Sequence, residues 1–245
     1  MEKAYVVGVD IGGQTTKIGI VDRRGTIVTQ TVIGSKYKAG EAGIFIQAVC
    51  DTIRELAKEV GFDQIQGIGI GAPNGNYYKG TIEDAANLEW AKGIVVELAK
   101  EVSLALDNLP VTVTNDANAA AVGEMTYGAA RGMKNFIMIT LGTGVGSGII
   151  INGELVYGHD GFAGELGHVT AVRHNGRPCG CGKTGCLETY CSAIGVARTA
   201  GEWLELTDEP SLLRGIENIT SKDVFEAAQK GDELALKIFE FTGKK

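Results

Sequence analysis

Residues 5–22, Tyr-Val-Val-Gly-Val-Asp-Ile-Gly-Gly-Gln-Thr-Thr-Lys-Ile-Gly-Ile-Val-Asp, decide the class of fold. Two apolar, β-branched runs flank a turn with the adjacent glycines Gly12 and Gly13, which predicts two strands joined by a tight turn. A third strand is predicted over residues 26–33, and apolar residues then recur at helical spacing as far as Gly61. Further strands are predicted over residues 66–72 and 111–114, and further helices over 94–106 and 117–127. This order predicts an α/β fold with a mixed sheet and helical crossovers.

The pattern of strand, glycine-rich turn and strand occurs a second time, over residues 136–151. It is followed by Asn152-Gly153, the pair of residues that a type I′ hairpin prefers. A shift of 130 positions aligns residues 9–12 with residues 139–142, which suggests a duplicated lobe. Any two glycine-turn hairpins align to a similar degree, so the repeat alone is only suggestive.

The composition fits a globular protein, because 44% of the 245 residues are hydrophobic and 22% are charged. A net charge of −7 and a pI near 5.1 argue against a general nucleic-acid or membrane-surface protein, since such proteins carry basic patches. No apolar stretch approaches the ~18 residues that a membrane span requires. The N-terminus has no signal-peptide pattern. We therefore expect a cytoplasmic protein with reduced cysteines and with neither nucleic-acid nor membrane partners.

The two glycine-rich turns, Gly12-Gly13 and Gly142-Thr143-Gly144, are candidate anion sites, because glycines let backbone N–H groups approach a ligand closely. The dinucleotide-binding fingerprint needs a helix after its glycines, whereas a strand follows both turns here. Gly182-Lys183-Thr184 is not a P-loop, since it lacks the upstream strand and the spaced glycine. Asp10 enters the first turn and Lys17 leaves it, and an aspartate there can hold Mg²⁺ through water beside a polyphosphate. Two ordinary tight hairpins are the alternative.

Four potential metal ligands follow the pattern H-x10-C-x-C-x4-C, namely His168, Cys179, Cys181 and Cys186. One imidazole and three thiolates satisfy tetrahedral Zn²⁺ with no open position, which is typical of a structural site. Their loop is rich in glycine and has little apolar content, so a metal would explain why it folds. Free thiols and a redox pair are the alternatives, although C-x-C is not the usual redox spacing. The sequence favours structural zinc.

Two glutamates flank this loop, Glu165 on one side and Glu188 on the other. Carboxylates accept paired hydroxyl hydrogen bonds well, so both side chains suit a neutral sugar; surface ion pairs are the other interpretation. Asp116 follows Asn115 where a predicted strand ends and a predicted helix begins. It is either the N-cap of that helix or a general base at the carboxyl edge of the sheet, where ligands gather in α/β folds.

These motifs together resemble the ROK family of sugar kinases and repressors, within the actin-like ATPase superfamily. They span almost the whole chain in order, and the cysteine motif is highly specific. The matching motifs are Asp10-Ile-Gly-Gly, Asn87-Leu, Asn115-Asp116, Leu141-Gly-Thr-Gly, Gly164-Glu-Leu-Gly-His168 and Cys179-Gly-Cys-Gly-x-x-Gly-Cys-Leu-Glu188. The resemblance implies a two-lobed actin-like ATPase (ribonuclease H-like) fold, with an N-terminal lobe at residues 1–115 and a C-terminal lobe at 116–245.

The resemblance also implies ATP-dependent phosphorylation of a hexose, most commonly glucose, by a homo-oligomer (a dimer or tetramer). Asp116 is the implied base for the sugar 6-hydroxyl, and His168 is implied to bind zinc with one ring nitrogen and sugar with the other. The implied sugar-binding residues are Asn87, Asn115, Asp116, Glu165, His168 and Glu188. The implied contacts to ATP and Mg²⁺ are Asp10, Gly12, Gly13, Gln14, Thr15, Lys17, Gly142, Thr143 and Gly144. The implied ligands of the structural Zn²⁺ are His168, Cys179, Cys181 and Cys186.

Two features depart from the family pattern. Gln14 stands where the family's first turn usually has threonine, and Thr15 is the substitute for that phosphate contact. No strand-like apolar run follows Leu206, and residues 221–242 are predicted to be helical. Thr220 and Asp223 resemble a capping box at the start of this segment, and Gly243 a stop. We therefore expect a kinase whose second lobe is truncated at its C-terminus.

Two other functions compete with the kinase. Family repressors carry an N-terminal helix-turn-helix, whereas the first strand is predicted to begin at about Ala4, which disfavours a sugar-responsive repressor. A sugar-binding protein without catalysis is the other alternative.

Overall fold

The computed structural model describes residues 4–245, and their contacts divide them into two units. Unit 1 contains the described residues up to Met138 together with Gly148–Gly164. Unit 2 contains Ile139–Ser147 together with Glu165–Lys245. The chain therefore passes between the units more than once, and the lobe boundary at residues 115/116 stays a prediction.

Strands dominate unit 1 and helices dominate unit 2. The strands are β1 (Tyr5–Ile11), β2 (Thr15–Asp22), β3 (Ile27–Gly34), β4 (Ile65–Ala72), β5 (Gly75–Asn76), β6 (Thr81–Glu83), β7 (Val95–Val96), β8 (Val111–Asn115), β9 (Phe136–Leu141), β10 (Val145–Ile151) and β11 (Glu154–Leu155). The helices are α1 (Ala42–Ala57), α2 (Leu98–Ala105), α3 (Asp116–Tyr127), α4 (Glu188–Cys191), α5 (Ala193–Leu206), α6 (Ser221–Gln229) and α7 (Glu233–Gly243). The mixed α/β fold predicted from the sequence is thus confirmed.

The main sheet of unit 1 has five strands in the order β3-β2-β1-β4-β8. Strands β1, β2 and β3 form an antiparallel meander, whereas β4 runs parallel to both β1 and β8. In this register Asp10 lies opposite Gly71, and Ala72 lies opposite Asn115. The parallel pairing therefore brings the carboxyl ends of β1, β4 and β8 to one edge of the sheet.

The core of unit 1 forms because apolar residues alternate along β1 and β2 and recur at helical spacing along α1. Val7, Val9 and Ile20 are buried in the sheet, and Phe45 and Ile53 of α1 are fully buried against the same core. Burying each such side chain contributes about 1.5–3 kcal/mol relative to leaving it exposed. This packing makes the sheet a rigid support for the residues at its carboxyl edge.

A small antiparallel sheet of β5, β6 and β7 was not predicted from the sequence. Its strands are two or three residues long, which is too short for an alternating apolar pattern to be recognised. Trp90 lies between β6 and β7 and stacks on Phe45 of α1, with 4.4 Å between the ring centroids. The segment that carries Asn87 is therefore attached to the core of unit 1 through Trp90.

The second strand–turn–strand pattern forms the meander β9-β10-β11, as the sequence predicted. Asn152 and Gly153 join β10 to β11 with φ angles of +55° and +82°. Both positive values are those that a type I′ turn requires, which confirms the predicted hairpin.

Helices α5, α6 and α7 pack around a second core that includes Val196, Val224 and Ile238. The sequence predicted one helical segment over residues 221–242, and the structure divides it into α6 and α7. Gly231 has a φ of +82°, which interrupts the helix, and Asp232 then caps α7 by accepting a hydrogen bond from the Ala235 amide at 2.9 Å.

Of the two predicted ends of this helical segment, the structure confirms one. The capping box of Thr220 and Asp223 at the start of α6 is confirmed. Gly243 was predicted to stop the helix, but it is the last residue within α7, and Lys244 is the C-cap.

Among the described helices, none has the length and apolar character needed to cross a membrane.

Gly75 offers a test of how β5 packs against β8. A Cβ atom at Gly75 would lie 2.3 Å from the carbonyl oxygen of Thr114, so Gly75→Ala forces the two backbones apart. We expect a loss of about 1–3 kcal/mol in the free energy of unfolding, measured by chemical denaturation. Gly69→Ala is the matched control, because a Cβ atom there has no neighbour within 4 Å. Equal stability of the two variants would contradict this packing.

Candidate active site

Three polar residues lie at the carboxyl edge of the unit 1 sheet. Asp10 is near the end of β1, and Asn115 and Asp116 lie where β8 passes into α3. The Asn115 side-chain oxygen accepts hydrogen bonds from the amides of Ala117 at 2.8 Å and Asn118 at 3.3 Å. Asn115 is therefore the N-cap, and the alternative that Asp116 caps this helix is wrong. Asp116 occupies the first helical position instead.

The carboxyl group of Asp116 has a perturbed acidity. Burial raises the pKa above its ordinary value of 3.8, and the negative charge of Asp10 raises it further. A hydrogen bond of 2.9 Å from the Ala117 amide to Asp116 Oδ1 acts in the opposite direction. Asp116 nevertheless remains exposed to solvent, which screens part of its interaction with Asp10. A raised pKa in an accessible carboxylate is what a general base requires.

The first glycine turn lies at the same edge of unit 1. It is closed by a hydrogen bond of 3.0 Å from the Gly12 amide to the Thr15 carbonyl oxygen. The Ser35 amide donates to the Gln14 carbonyl oxygen at 3.0 Å. Gln14, Thr15 and the following Lys17 are exposed, so the turn presents both hydroxyl and ammonium groups to solvent.

Two further sequence-predicted residues lie next to this turn. Lys17 is the cross-strand partner of Asp10, so a cation and a carboxylate lie opposite each other. A Cβ atom at Gly13 would lie 3.1 Å from the carbonyl oxygen of Asn87, which shows that the segment carrying Asn87 approaches the turn. Unit 1 thus brings together Asp10, the first turn and Asn87.

Within unit 2, Glu188 contacts the second glycine turn. Gly142 donates to the Gly144 carbonyl oxygen at 3.0 Å, which closes the turn, and Thr143 is exposed. The Val145 amide donates to Glu188 Oε2 at 3.1 Å. Glu188 is the first residue of α4, so the turn and the predicted sugar ligand are directly connected.

The segment Glu165–His168 also packs against this turn. A Cβ atom at Gly167 would lie 2.0 Å from the Val145 carbonyl oxygen, so only glycine allows the two backbones to approach so closely. Glu165 is exposed, and His168 ends a 3₁₀ turn over Leu166–His168. Unit 2 thereby gathers Glu165, His168, Glu188 and the second glycine turn around Val145.

His168, Cys179, Cys181 and Cys186 form a compact cluster, with one donor atom from each within 4.8 Å of all the others. Cys181 Sγ and Cys186 Sγ are 3.7 Å apart, and Cys179 Sγ lies 3.6 Å from His168 Nδ1. Sulfur atoms bound to one tetrahedral Zn²⁺ are separated by about 3.8 Å, given a bond length of about 2.3 Å. The four residues therefore fit a single metal ion, and Nδ1 is the imidazole atom that faces it.

An aromatic cluster in unit 1 was not predicted from the sequence. Tyr77 stacks on Tyr157 with 4.1 Å between the ring centroids, and Tyr78 donates its hydroxyl hydrogen to the Gly158 carbonyl oxygen at 3.0 Å. Asn76 Nδ2 donates to the Asp160 carbonyl oxygen at 2.9 Å. These contacts hold the segment just before Glu165, but their partners are about 80 residues apart, so no local pattern predicts them.

Three comparisons with known proteins bear on this site. The model of the ROK family matches residues 6–245. A glucokinase from Halalkalibacterium halodurans is 40% identical over 244 residues, which cover 97% of this chain and 72% of that protein. The crystal structure of a ROK family glucokinase from Streptomyces griseus, in complex with glucose and AMPPNP, matches with a TM-score of 0.79 and 35% identity, covering 96% of this chain and 74% of that one.

Another relative carries a different name. A xylose repressor from Bacillus subtilis is 34% identical over 190 residues, which cover 77% of this chain and 48% of that protein. The Halalkalibacterium halodurans glucokinase is thus more identical to this chain than this repressor is.

The cluster makes a direct prediction about metal content. Protein purified without added metal should contain about one equivalent of a divalent metal, and Cys181→Ser should lower this well below one. Elemental analysis by mass spectrometry measures both. Cys191→Ser is the control, because Cys191 lies outside the cluster. A wild-type protein with much less than one equivalent would rule out the site.

The raised pKa of Asp116 predicts how stability depends on pH. The unfolded carboxyl ionises near its ordinary value, so ionisation destabilises the folded state at pH values above the raised folded pKa. Asp116→Asn should therefore raise the melting temperature at pH 7.5. This gain should shrink as the pH falls through the folded pKa of Asp116.

Asp51→Asn on α1 is the matched control for this comparison, because the Asp51 side chain is 62% exposed. Calorimetric scans of the wild type and both variants between pH 4 and 8 give the melting temperatures needed. A gain for Asp116→Asn that does not vary with pH, or an equal gain for Asp51→Asn, would contradict the interpretation.

Proposed function

Because this chain belongs to the ROK family and is a hexokinase-type sugar kinase, we propose that it transfers the γ-phosphoryl group of ATP to the 6-hydroxyl group of glucose. Its fold is that of the actin-like ATPases. The observation that carries the proposal is Asp116, an accessible carboxylate with a raised pKa at the carboxyl edge of the sheet. Its neighbour Asn115 caps α3, so Asp116 is not needed to cap the helix.

Asp116 acts as the general base in the proposed reaction. Its carboxylate takes the proton of the 6-hydroxyl as the sugar oxygen forms a bond to the γ-phosphorus. The bond between that phosphorus and the oxygen bridging to the β-phosphate breaks, and ADP leaves with the electron pair. The hydrogen bond from the Ala117 amide keeps one carboxylate oxygen of Asp116 in place and leaves the other for the proton.

The two glycine turns are the proposed contacts to ATP. In the first turn, the backbone of Gly12 and Gly13 and the exposed Gln14 and Thr15 are available to the phosphates. Asp10 is the residue that would hold Mg²⁺, and its carboxylate oxygens are ligands that this ion prefers. When bound, Mg²⁺ offsets the negative charge of the phosphates. Lys17, across the hairpin from Asp10, adds a second positive charge.

In the second turn, Gly142, Thr143 and Gly144 are the proposed phosphate contacts. The hydrogen bond that closes this turn and its link to Glu188 through Val145 support a fixed shape for the backbone. Preformed turns bind anions more tightly than mobile ones, because less conformational freedom is lost on binding.

The proposed sugar ligands are carboxylate, amide and imidazole groups, which recognise neutral hydroxyl groups by hydrogen bonds. They are Asn87, Asn115, Asp116, Glu165, His168 and Glu188. Glucose is the proposed substrate because the glucokinases matched above resemble this chain over almost its whole length.

The metal that we propose for the cluster is structural Zn²⁺, bound by His168 Nδ1 and the three cysteine sulfurs. A full set of four protein ligands leaves no position for water or substrate. Binding through Nδ1 leaves His168 Nε2 for a sugar hydroxyl, and the metal fixes the orientation of the ring. A cytoplasmic location is part of the proposal, since ATP and reduced thiols occur there together.

The proposal predicts ADP formation when the full chain is mixed with Mg-ATP and glucose. Asp116→Asn should lower kcat about 10²- to 10⁴-fold, because the base is lost while the amide still fits the site. The KM for glucose should change much less. A coupled assay of ADP release over glucose, fructose, N-acetylglucosamine and N-acetylmannosamine measures these values, with Asp51→Asn as the control.

Two outcomes would contradict the proposal in different ways. If Asp116→Asn were as active as the wild type, Asp116 could not be the base. If the wild type turned over none of the four hexoses but bound glucose in calorimetry, the chain would be a sugar-binding protein without catalysis. The measurement of glucose binding by calorimetry is included because a xylose repressor is among the similar proteins.

A further inference from the structure

Arg177 is a buried charged residue for which the proposed reaction has no role. Its side chain is only 8% exposed, and a buried guanidinium is costly unless its N–H groups are paired. It lies two residues before Cys179, at the start of the metal-binding loop. A buried charge at that position needs a structural explanation.

The Arg177 side chain binds α4 and α5 through both terminal nitrogens of its guanidinium. Its guanidinium lies over the ring of Tyr190, with 4.7 Å between Cζ and the ring centroid. Its four hydrogen bonds run from Nη1 to the carbonyl oxygens of Thr189 (2.8 Å) and Gly195 (3.2 Å), and from Nη2 to Thr199 Oγ1 (2.9 Å) and Glu202 Oε2 (2.6 Å). A planar fork can reach these four acceptors at once, whereas a lysine ammonium cannot.

The backbone of Arg177 joins α4 to the metal-binding loop. Its amide donates to the hydroxyl oxygen of Tyr190 at 2.9 Å, and its carbonyl oxygen accepts from the Gly185 amide at 2.8 Å. Gly185 directly precedes the ligand Cys186. Arg177 therefore contacts both ends of the cysteine motif and the helix that follows it.

Glu188 lies at the centre of this arrangement. It is the residue before Thr189, whose carbonyl oxygen binds Arg177. One of its oxygens accepts from the Val145 amide, and the other lies 3.8 Å from Cys179 Sγ. A shift of α4 would therefore move Glu188 relative to both the glycine turn and the metal cluster.

We propose that Arg177 is a positioning residue that fixes α4 to the metal-binding loop, so that Glu188 and the four metal ligands keep their places together. The part of this inference that concerns sugar rests on the proposed role of Glu188. The part that concerns the metal rests only on the contacts of Arg177. The hydrogen bonds of the buried guanidinium constrain the loop in addition to the metal.

The decisive variant is Arg177→Lys, which keeps the charge but loses the fork. Arg198→Met is the matched control. Arg198 lies on α5 and binds Glu202, one of the acceptors of Arg177, through Nε at 2.7 Å. It makes none of the contacts to α4 or to the metal-binding loop that are described above. The rate of zinc release from the full chain is measured by the absorbance of a chelator that binds the released zinc. Steady-state assays give kcat and the KM values for glucose and ATP.

We expect zinc release to be about ten-fold faster in Arg177→Lys than in the wild type, with the KM for glucose raised about ten-fold. The kcat should change less than about two-fold, whereas a general loss of folded protein would lower it. Arg198→Met should match the wild type. The proposal is overturned if Arg177→Lys keeps the wild-type zinc release rate and glucose KM, or if Arg198→Met shows the same changes.

Two further results keep the test decisive. If the wild type phosphorylates no hexose, the proposed function fails, and the comparison of zinc release alone decides the role of Arg177. If Arg177→Lys does not fold, Thr199→Val removes a single acceptor of the fork at nearly constant volume. Faster zinc release in Thr199→Val than in Arg198→Met then supports the proposal, and equal rates overturn it.

Discussion

The parallel pairing of β1 with β4 and of β4 with β8 is the constraint on which the candidate active site of unit 1 depends. It sets Asp10 opposite Gly71 and Asn115 opposite Ala72, so the polar residues that follow these strands lie at one edge. Because side chains alternate between the faces of a strand, a slip of one residue would turn them to the other face. Gly75 approaches Thr114 of β8 closely, and the buried residues of β1, β4 and β8 share one core with those of α1.

The placement of two carboxylates at one edge has an energetic cost that the chemistry can use. Burial raises the pKa of Asp116, and the negative charge of Asp10 raises it further, so the ionised form of Asp116 destabilises the folded state. Proteins concentrate such destabilising groups at functional sites and offset them elsewhere. In unit 2 the corresponding constraint is different: Val145, Glu188, the cysteine cluster and Arg177 form one connected set of contacts around the second glycine turn.

The sequence predicted those parts of the molecule that local patterns encode. Alternating apolar residues gave β1 and β2, and the spacing of His168 and the three cysteines gave a cluster that the structure assembles within 4.8 Å. Features that depend on distant partners were missed. The contacts of Asn76 and Tyr78 with a segment about 80 residues away have no local signal, and Arg177 is buried only because its acceptors lie on α4 and α5. The break between α6 and α7 had a local signal in Gly231 and Asp232, a glycine followed by an N-cap residue. The helical spacing of the apolar residues continues across this break and concealed it.

The central claim is that the chain transfers the γ-phosphoryl group of ATP to the 6-hydroxyl group of a hexose, and the identity of the product tests it most directly. The full chain is incubated with Mg-ATP and glucose labelled with ¹³C at all six carbons, and the product is examined by ³¹P and ¹³C NMR. The account predicts a phosphate coupled to carbon 6, formed in equal amount with ADP. A product with phosphate on the anomeric oxygen would contradict it. So would the formation of ADP and inorganic phosphate without any sugar phosphate.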